Sequence, residues 1–593
     1  MNSYSDNLFS LRASLKHHNT DAYLMTVSDP HLGEEIPDHW KIIEWLTGFT
    51  GSAATVVITE SFAGLWTDSR YFIQAASQIQ GSGFELIRPV IMKSYGYAEW
   101  LSENLKPGNI LALDGRIWSV QQFRKLEAGL TDKGITVDYK TDIISDIWDD
   151  RPEMPEGAAF DHPLEFAGKD RAVKIREVRE EMRKLRADYH LLTAPDDIMW
   201  LLNIRGSDLK YSPLMFSFAI VGMEQVLLFA DERKMPLNLK SVFDALNIVI
   251  LPYEETGGLL STLERDSTIL LSPEKTSIEI YYSIPDTIRK IEITSIPSVL
   301  KSIKNKTEIE NICRTMVKDG TAMAKFFHFI GENAGLVPMS EMSLTVKLHE
   351  CRSVQPDFLG PSFAPIVAFG EHGALPHYSP TSETDIQIGE NGILLVDSGG
   401  QYMGGTTDIT RTICIGTPSE QQKTDFTLVL KGYINLATAK FPSSTRGYQL
   451  DILARKALWE NGLNYGHGTG HGVGYCLNVH EGPQNISPSD NKTRIEPGML
   501  VSNEPSVYRE GEYGIRTENL MICYEDEETD FDQFLKFETL SLCYIDKRLI
   551  DKSLLDRKEI DWLNKYHSEV YDKISPFLTG DEKMWLRKKT ESL

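Results

Sequence analysis

A chain of 593 residues is too long for one ordinary core and predicts two to four domains, and its 41% hydrophobic and 25% charged residues are proportions of a soluble globular protein. The formal net charge of -24 disfavours nucleic acid and anionic membrane as partners, and no apolar run is long enough to span a bilayer. Six cysteines, all in the C-terminal half and without a CxxC pair, read as buried reduced thiols and not as a disulfide framework.

The first residues lack a basic segment followed by an apolar core, so no secretory signal is expected and the cytoplasm is the expected compartment. Leu8, Leu11 and Leu15 fall at helical spacing and predict a helix over residues 7–18. Asp21 to Thr26 reads as a strand, and Ala53 to Ile58 as another. Strands keep alternating with helices to residue 150, which predicts an α/β domain over 1–155. Arg151 to Pro163, rich in Pro, Asp and Glu, reads as a linker. Lys169 to Arg186 then carries Ile175, Val178, Met182 and Leu185 on one helical face. Beyond it the order of the first domain returns: Asp188 to Thr193 echoes Asp21 to Thr26, and Trp200 to Gly206 echoes Trp45 to Gly51. An internal duplication, with a second α/β domain over 156–301, accounts for the echo. Neither copy holds a cluster of His, Asp and Glu; Trp45, Arg70 and Arg205 stay open as residues lining an entrance.

A third domain is expected over 302–530. Thr307-Glu308-Ile309-Glu310 reads as a capping box opening a helix with Ile309, Ile312, Met316, Met323 and Phe327 on its buried face. Thr417-Pro418-Ser419-Glu420 repeats the device, with Pro418 expected at the first helical position and Phe426, Val429, Leu430, Tyr433, Ile434 and Ala437 as the stripe. A third helix runs from Gln449 to Trp459.

Five residues of metal-ligand type stand in order around these helices. Ile393-Leu394-Leu395-Val396 is an apolar strand ending in Asp397; glycines at 399, 400, 404 and 405 turn the chain; Asp408 opens the strand Ile409 to Ile413. Two carboxylates therefore face each other across a hairpin. Met499-Leu500-Val501 leads to Glu504, a polar turn surrounds Gly511, and Gly514-Ile515-Arg516-Thr517-Glu518 returns with a second pair. Between the pairs lies Gly466 to Gly474, so rich in glycine that its backbone must approach something closely, with His471 as imidazole donor. Four carboxylates and one imidazole suit two hard or borderline divalent ions such as Mn²⁺ or Zn²⁺. Any one of these acids taken singly reads more readily as a turn cap or a surface charge; the five together point to a metal site.

In the order Asp397, Asp408, His471, Glu504, Glu518 the sequence resembles the metallopeptidases with the pita-bread fold: methionine aminopeptidase, prolidase, aminopeptidase P and the metal-free creatinase. His467-Gly-Thr-Gly-His471-Gly-Val-Gly, Val479-His480-Glu481-Gly482-Pro483 and Leu375-Pro376-His377-Tyr378 look most like the aminopeptidase P branch in its long, three-domain cytosolic form. The resemblance implies a mixed α/β and α+β chain, with two similar N-terminal α/β domains followed by a pita-bread catalytic domain. It implies two divalent ions, Mn²⁺ first with Zn²⁺ or Co²⁺ open, and hydrolysis of the bond before a penultimate proline by a hydroxide bridging them. Asp408 and Glu518 are then the bridging ligands, Asp397 completes one ion's shell, and His471 and Glu504 complete the other's, with Glu504 also passing a proton to the leaving nitrogen. By the same resemblance His377 and His480 contact the scissile carbonyl and stabilise its oxyanion, and His467 shapes the substrate pocket. Arg516 is expected to order the ligand carboxylates, a solvated strand charge being its plain alternative. His372 stands where the family has Asn and receives no role.

Residues 531–593, with Trp562, Tyr566, Tyr571 and Trp585 among charges, resemble the C-terminal extension of that branch, which covers the catalytic domain and supports a homodimer; a helical appendage is the plain alternative. The expected substrates are peptides with proline at position two, whose bond has no N–H and bends the chain. The rival enzyme is a prolidase, which gains from a cationic clamp on a dipeptide's carboxylate. A non-catalytic binding protein of the same fold is the rival from another class, and the complete ligand set with its three histidines stands against it.

Overall fold

The structure, a computed structural model, describes residues 3–68, 70–88 and 96–593. They form two compact units, the first comprising Met1–Asp161, Asp170–Leu209 and Leu214–Pro297, the second His162–Lys169, Lys210–Pro213 and Ser298–Leu593.

Two six-stranded sheets with one topology make up the first unit. In the N-terminal sheet β1 (Ala22–Thr26), β2 (Ala54–Thr59), β3 (Ala63–Thr67), β4 (Glu85–Ile87), β5 (Ile110–Leu113) and β6 (Thr136–Asp138) lie in the order β4-β3-β2-β1-β5-β6. β1 is antiparallel to β2 and parallel to β5. In the second sheet Tyr189–Leu192 takes the place of β1, antiparallel to Phe218–Gly222 and parallel to Thr268–Leu271, and the outer strands repeat the same senses. The sequence echo is thus a repeat of the whole strand order. The first helix, Tyr4–His17, begins earlier than the leucine spacing predicts, because Ser3 and Asp6 close a capping box ahead of the stripe. Leu8, Leu11 and Leu15 are buried as expected.

The second unit is built on antiparallel strands. Gly392–Ser398 is the centre of a three-stranded sheet between Ile366–Phe369 and Ile409–Ile415, with Asp397 opposite Thr410. The chain does not turn directly between Asp397 and Asp408: Gly400–Tyr402 and Gly405–Thr406 leave to pair with each other, and the first of them also with Phe358–Pro361. A four-stranded sheet runs Lys440–Pro442, Gln533–Thr539, Asn519–Glu528, Leu500–Asn503. Asn503 pairs with Asn519, so Glu504 and Glu518 sit one residue beyond the end of one strand pair, while Ser506–Arg509 and Tyr513–Arg516 form a separate hairpin around Gly511.

Three helices, Glu420–Ala437, Gly447–Trp459 and Arg557–Ile574, share one core with this sheet, through Val429, Tyr433, Ala454, Leu458, Leu563 and Val570 against Val501, Met521 and Leu535. Each large aliphatic side chain in such a core contributes about 1.5–3 kcal/mol. The Lys306–Asn333 helix buries Met323, Phe326 and Phe327 against Leu394, Val396 and Ile413 of the three-stranded sheet.

Two helix starts differ from expectation. Asn305, not Thr307, caps Lys306–Asn333 in a box with Glu308, and its amide also donates to Ala167 O at 3.0 Å, a contact that a threonine cap lacks. Ser419, not Thr417, caps Glu420–Ala437 with Gln422, which leaves Pro418 outside the helix. All six cysteines are free thiols, and among the described residues no helix is long and apolar enough to cross a membrane.

Candidate metal centre

Strand ends bring the acids together. Ligand atoms of Asp408, His471 and Glu518 all lie within 4.8 Å of one another. Glu504 joins them, with its Oε1 3.6 Å from His471 Nε2, and Asp408 Oδ2 is 3.4 Å from the same nitrogen. Nδ1–H of His471 donates to Gly472 O at 2.9 Å, the tautomer that leaves Nε2 with a lone pair toward the acids. Ser502 couples two of the residues, accepting from His471 N at 2.9 Å and donating to Glu504 Oε1 at 3.1 Å. Thr410 holds a third by donating to Glu518 Oε2 at 2.6 Å.

Asp397 stands at the edge of this group. Its Oδ2 accepts from Arg516 Nη2 at 2.5 Å, while its Oδ1 is buried without a hydrogen-bond partner. Burial, opposed by the Arg516 cation and reinforced by Asp408, raises the Asp397 carboxyl. Burial also pushes Glu504 up to about 7, and with the charges of Asp408, Glu504 and Asp397 it lifts Glu518 well above the carboxylate range. Four crowded acids, three of them raised by burial and by their neighbours' charges, with an orphaned carboxylate oxygen and an imidazole lone pair aimed among them, make a donor set that fits a divalent metal ion.

Arg516 does more than neutralise. Its Nη1 donates to Tyr508 Oη at 2.5 Å, Tyr508 donates to His467 Nε2 at 2.9 Å, and His467 Nδ1–H donates to Gly468 O at 2.7 Å. Both ring nitrogens of His467 are therefore engaged, and burial followed by the Arg516 charge lowers the imidazole to about 3, so it stays neutral. His480 packs edge-to-face on His471, with ring centroids 4.3 Å apart. The backbone beside it is pinned: Glu481 N donates to Gly472 O at 2.8 Å, and a Cβ on Gly472 would lie 2.0 Å from Glu481 O, which is the close approach the glycine run foretold. Glu481 itself is a buried anion between Lys304 at 2.5 Å and Lys301 at 3.2 Å.

The loop of His377 reaches the same place, since Arg516 Nη2 contacts Pro376 O at 3.5 Å and His377 is near enough to help lower the His467 imidazole. His372 does not join the acids. It lies on Glu341, whose fully buried carboxylate takes His372 Nδ1 at 3.0 Å, Phe369 N at 2.7 Å and Tyr378 Oη at 2.6 Å. The hydrogen bond to Glu341 raises the His372 imidazole against the effect of burial.

Sequence reasoning passes over Glu341, Tyr508 and Arg411. Glu341 and Tyr508 lie in helix and hairpin patterns that read as ordinary surface positions. Arg411, between Thr410 and Thr412 of an alternating strand, carries one signal, a charge on a strand that must be buried on both faces.

Residues 310–525 match the Metallopeptidase family M24, and 533–593 match the C-terminal region of peptidase M24. Residues 8–145 and 150–308 each match a Creatinase/Prolidase N-terminal domain. A probable Xaa-Pro aminopeptidase P of Laccaria bicolor is 37% identical over 609 residues, covering 99% of this chain and 94% of that one. A Drosophila melanogaster Xaa-Pro aminopeptidase is 37% identical over 591 residues, with 96% and 95% covered. The structure of X-prolyl aminopeptidase from Caenorhabditis elegans, described as a cytosolic enzyme with a di-nuclear active site, superimposes with TM-score 0.96 at 33% identity and covers 100% of both chains. A Xaa-Pro dipeptidase from Bacillus anthracis shares the fold at TM-score 0.51 and 23% identity, over 63% of this chain and 98% of that one.

Proposed function

The chain belongs to metallopeptidase family M24, in its Xaa-Pro aminopeptidase P branch, and from that premise we propose that it removes the first residue of peptides whose second residue is proline. In this reading Asp397, Asp408, His471, Glu504 and Glu518 hold two divalent ions, Mn²⁺ in first place, and the enzyme works as a cytoplasmic homodimer. Its domains are 1–155, 156–301, 302–530 and the extension 531–593.

When bound, the ions supply Lewis acidity and make water nucleophilic near neutral pH. Everything else falls to the chain. Arg516 and Thr410 orient Asp397 and Glu518, and the Gly472 carbonyl fixes the His471 tautomer. Glu504, beside His471, carries a proton to the leaving proline nitrogen. His377 and His480 donate to the carbonyl oxygen as charge develops there. His467, neutral and engaged at both nitrogens, shapes the pocket wall.

Coverage supports this reading over prolidase: the relatives named Xaa-Pro aminopeptidase are 37% identical and match 96% to 99% of the chain, so both N-terminal repeats, the catalytic segment and the C-terminal region are included. The test is a peptide panel assayed with Mn²⁺ and after exhaustive chelation. Xaa-Pro-Yaa is expected to be cut after Xaa much faster than Xaa-Pro, alanine for proline to slow cleavage sharply, N-acetylation to block it, and chelation to abolish it until Mn²⁺ returns. A preference for dipeptides would favour prolidase, and full activity in verified metal-free protein would end the metal reading.

A further inference from the structure

Arg411 is 2% exposed, yet its acceptors among the described residues are all neutral. Nε donates to Tyr544 O at 2.9 Å; Nη1 to Thr410 O at 2.8 Å and Glu518 O at 2.7 Å; Nη2 to Asn519 Oδ1, Cys543 O and Tyr566 Oη, each at 2.8 Å. A buried guanidinium ordinarily takes a carboxylate, because an unpaired charge in a low dielectric is costly. Here its five N–H groups are satisfied by dipoles, backbone carbonyls together with the Asn519 amide and the Tyr566 hydroxyl, so that the guanidinium is held by geometry and not by a paired carboxylate.

Its contacts divide into two sides. On one, Nη1 bridges the carbonyls of Thr410 and Glu518, the two residues whose side chains meet at Oε2 and whose backbones are already joined by Glu518 N donating to Thr410 O at 3.2 Å. On the other, Cys543, Tyr544 and Tyr566 all come from the C-terminal region. Tyr566, on the Arg557–Ile574 helix, passes its own proton toward Cys543 O at 2.9 Å or Ser541 O at 3.0 Å, and its ring stacks on Trp562 at 5.3 Å. The next residue, His567, accepts from Ile545 N at 3.1 Å, so the helix is tied to the 541–545 segment at two successive positions.

We propose that the C-terminal extension is part of the support of the metal centre: Tyr566 and the Cys543 and Tyr544 carbonyls hold Arg411, and Arg411 holds the backbone of Glu518. Tyr566 and Arg411 are positioning residues, since neither touches a substrate or an ion. This rests on Glu518 being a metal ligand.

The test is Mn²⁺ titration of the full-length apo chain. Tyr566→Phe keeps the ring and removes the hydroxyl, and is expected to weaken Mn²⁺ binding about tenfold while the KM for an Xaa-Pro-Yaa peptide at saturating Mn²⁺ stays at the wild-type value. Arg411→Lys, which cannot reach both sets of acceptors, is expected to weaken binding at least as much. Val570→Ala loosens the same helix from its core without touching Arg411, and is expected to lower Tm and leave Mn²⁺ affinity unchanged. Wild-type affinity in Tyr566→Phe, or an equal loss in Val570→Ala, overturns the support. A wild-type chain that binds no divalent ion overturns the metal site, and the support with it.

Discussion

His377 and His480 differ from His467 in where they stand. His467 spends both nitrogens on Tyr508 and Gly468, whereas His480 lies exposed against His471, and His377 sits in a loop that Arg516 contacts. If the first two donate to the oxyanion, alanine at either lowers turnover by roughly 10² or more with metal content unchanged. Wild-type turnover in both variants would return them to structural roles. His372 offers a pH test of a different kind. Its folded value is raised by Glu341, so its stabilising contribution is complete below the ordinary imidazole value of about 6.5 and is lost as pH rises through the raised value. Glu371 and Tyr378 also face it. His372→Asn keeps a donor for Glu341 but no charge, so the wild type is expected to exceed it in urea stability at pH 6 by on the order of 1 kcal/mol, and to lose that margin by pH 9. A margin independent of pH would mean that the pair is a neutral hydrogen bond.

At the scale of elements, the loop from Tyr465 to His471 is shaped by a helix that contributes no ligand. Arg455, buried on Gly447–Trp459, donates to Asp451 at 2.6 Å, Tyr465 O at 2.8 Å and His467 O at 2.6 Å, and Thr469 donates to the other oxygen of Asp451 at 2.6 Å. Removing one member of such a pair leaves an uncompensated buried charge, so Arg455→Ala is expected to cost about 3–5 kcal/mol in urea unfolding. Arg455→Lys should recover only part of that, because an ammonium lacks the fork. Wild-type stability in the lysine variant would show that charge alone is what the loop requires. The helix starts teach the same lesson at lower cost. Asn305 and Thr307 are both good caps by type, and the choice between them was made by the Ala167 carbonyl, 138 residues away in sequence.

For the whole molecule, local pattern was enough to read the class and much of the plan. Apolar runs ending in acids, glycine where backbones touch, and the echo of Asp21 to Thr26 in Asp188 to Thr193 are each short-range features, and each has its counterpart in the strand order or in the glycine contacts. The chain order of the candidate ligands was legible because each sits at or beside a strand end, from which it can reach a common point. What sequence spacing does not encode is which distant groups answer a buried charge. Arg516 was expected among the carboxylates, and it takes Asp397 across 119 residues; but nothing local foretold that Glu341 takes His372 across 31, or that Arg411 takes Tyr566 across 155. Such pairings depend on where a side chain ends in space, and burial makes each one energetically compulsory without leaving a periodicity behind. The sequence alone therefore determined the repeated α/β plan and the order of residues at the site, because strand and turn propensities are local. Only the tertiary structure decided how that site is held, because its supports are long-range contacts between charges and dipoles that have no other way to be satisfied.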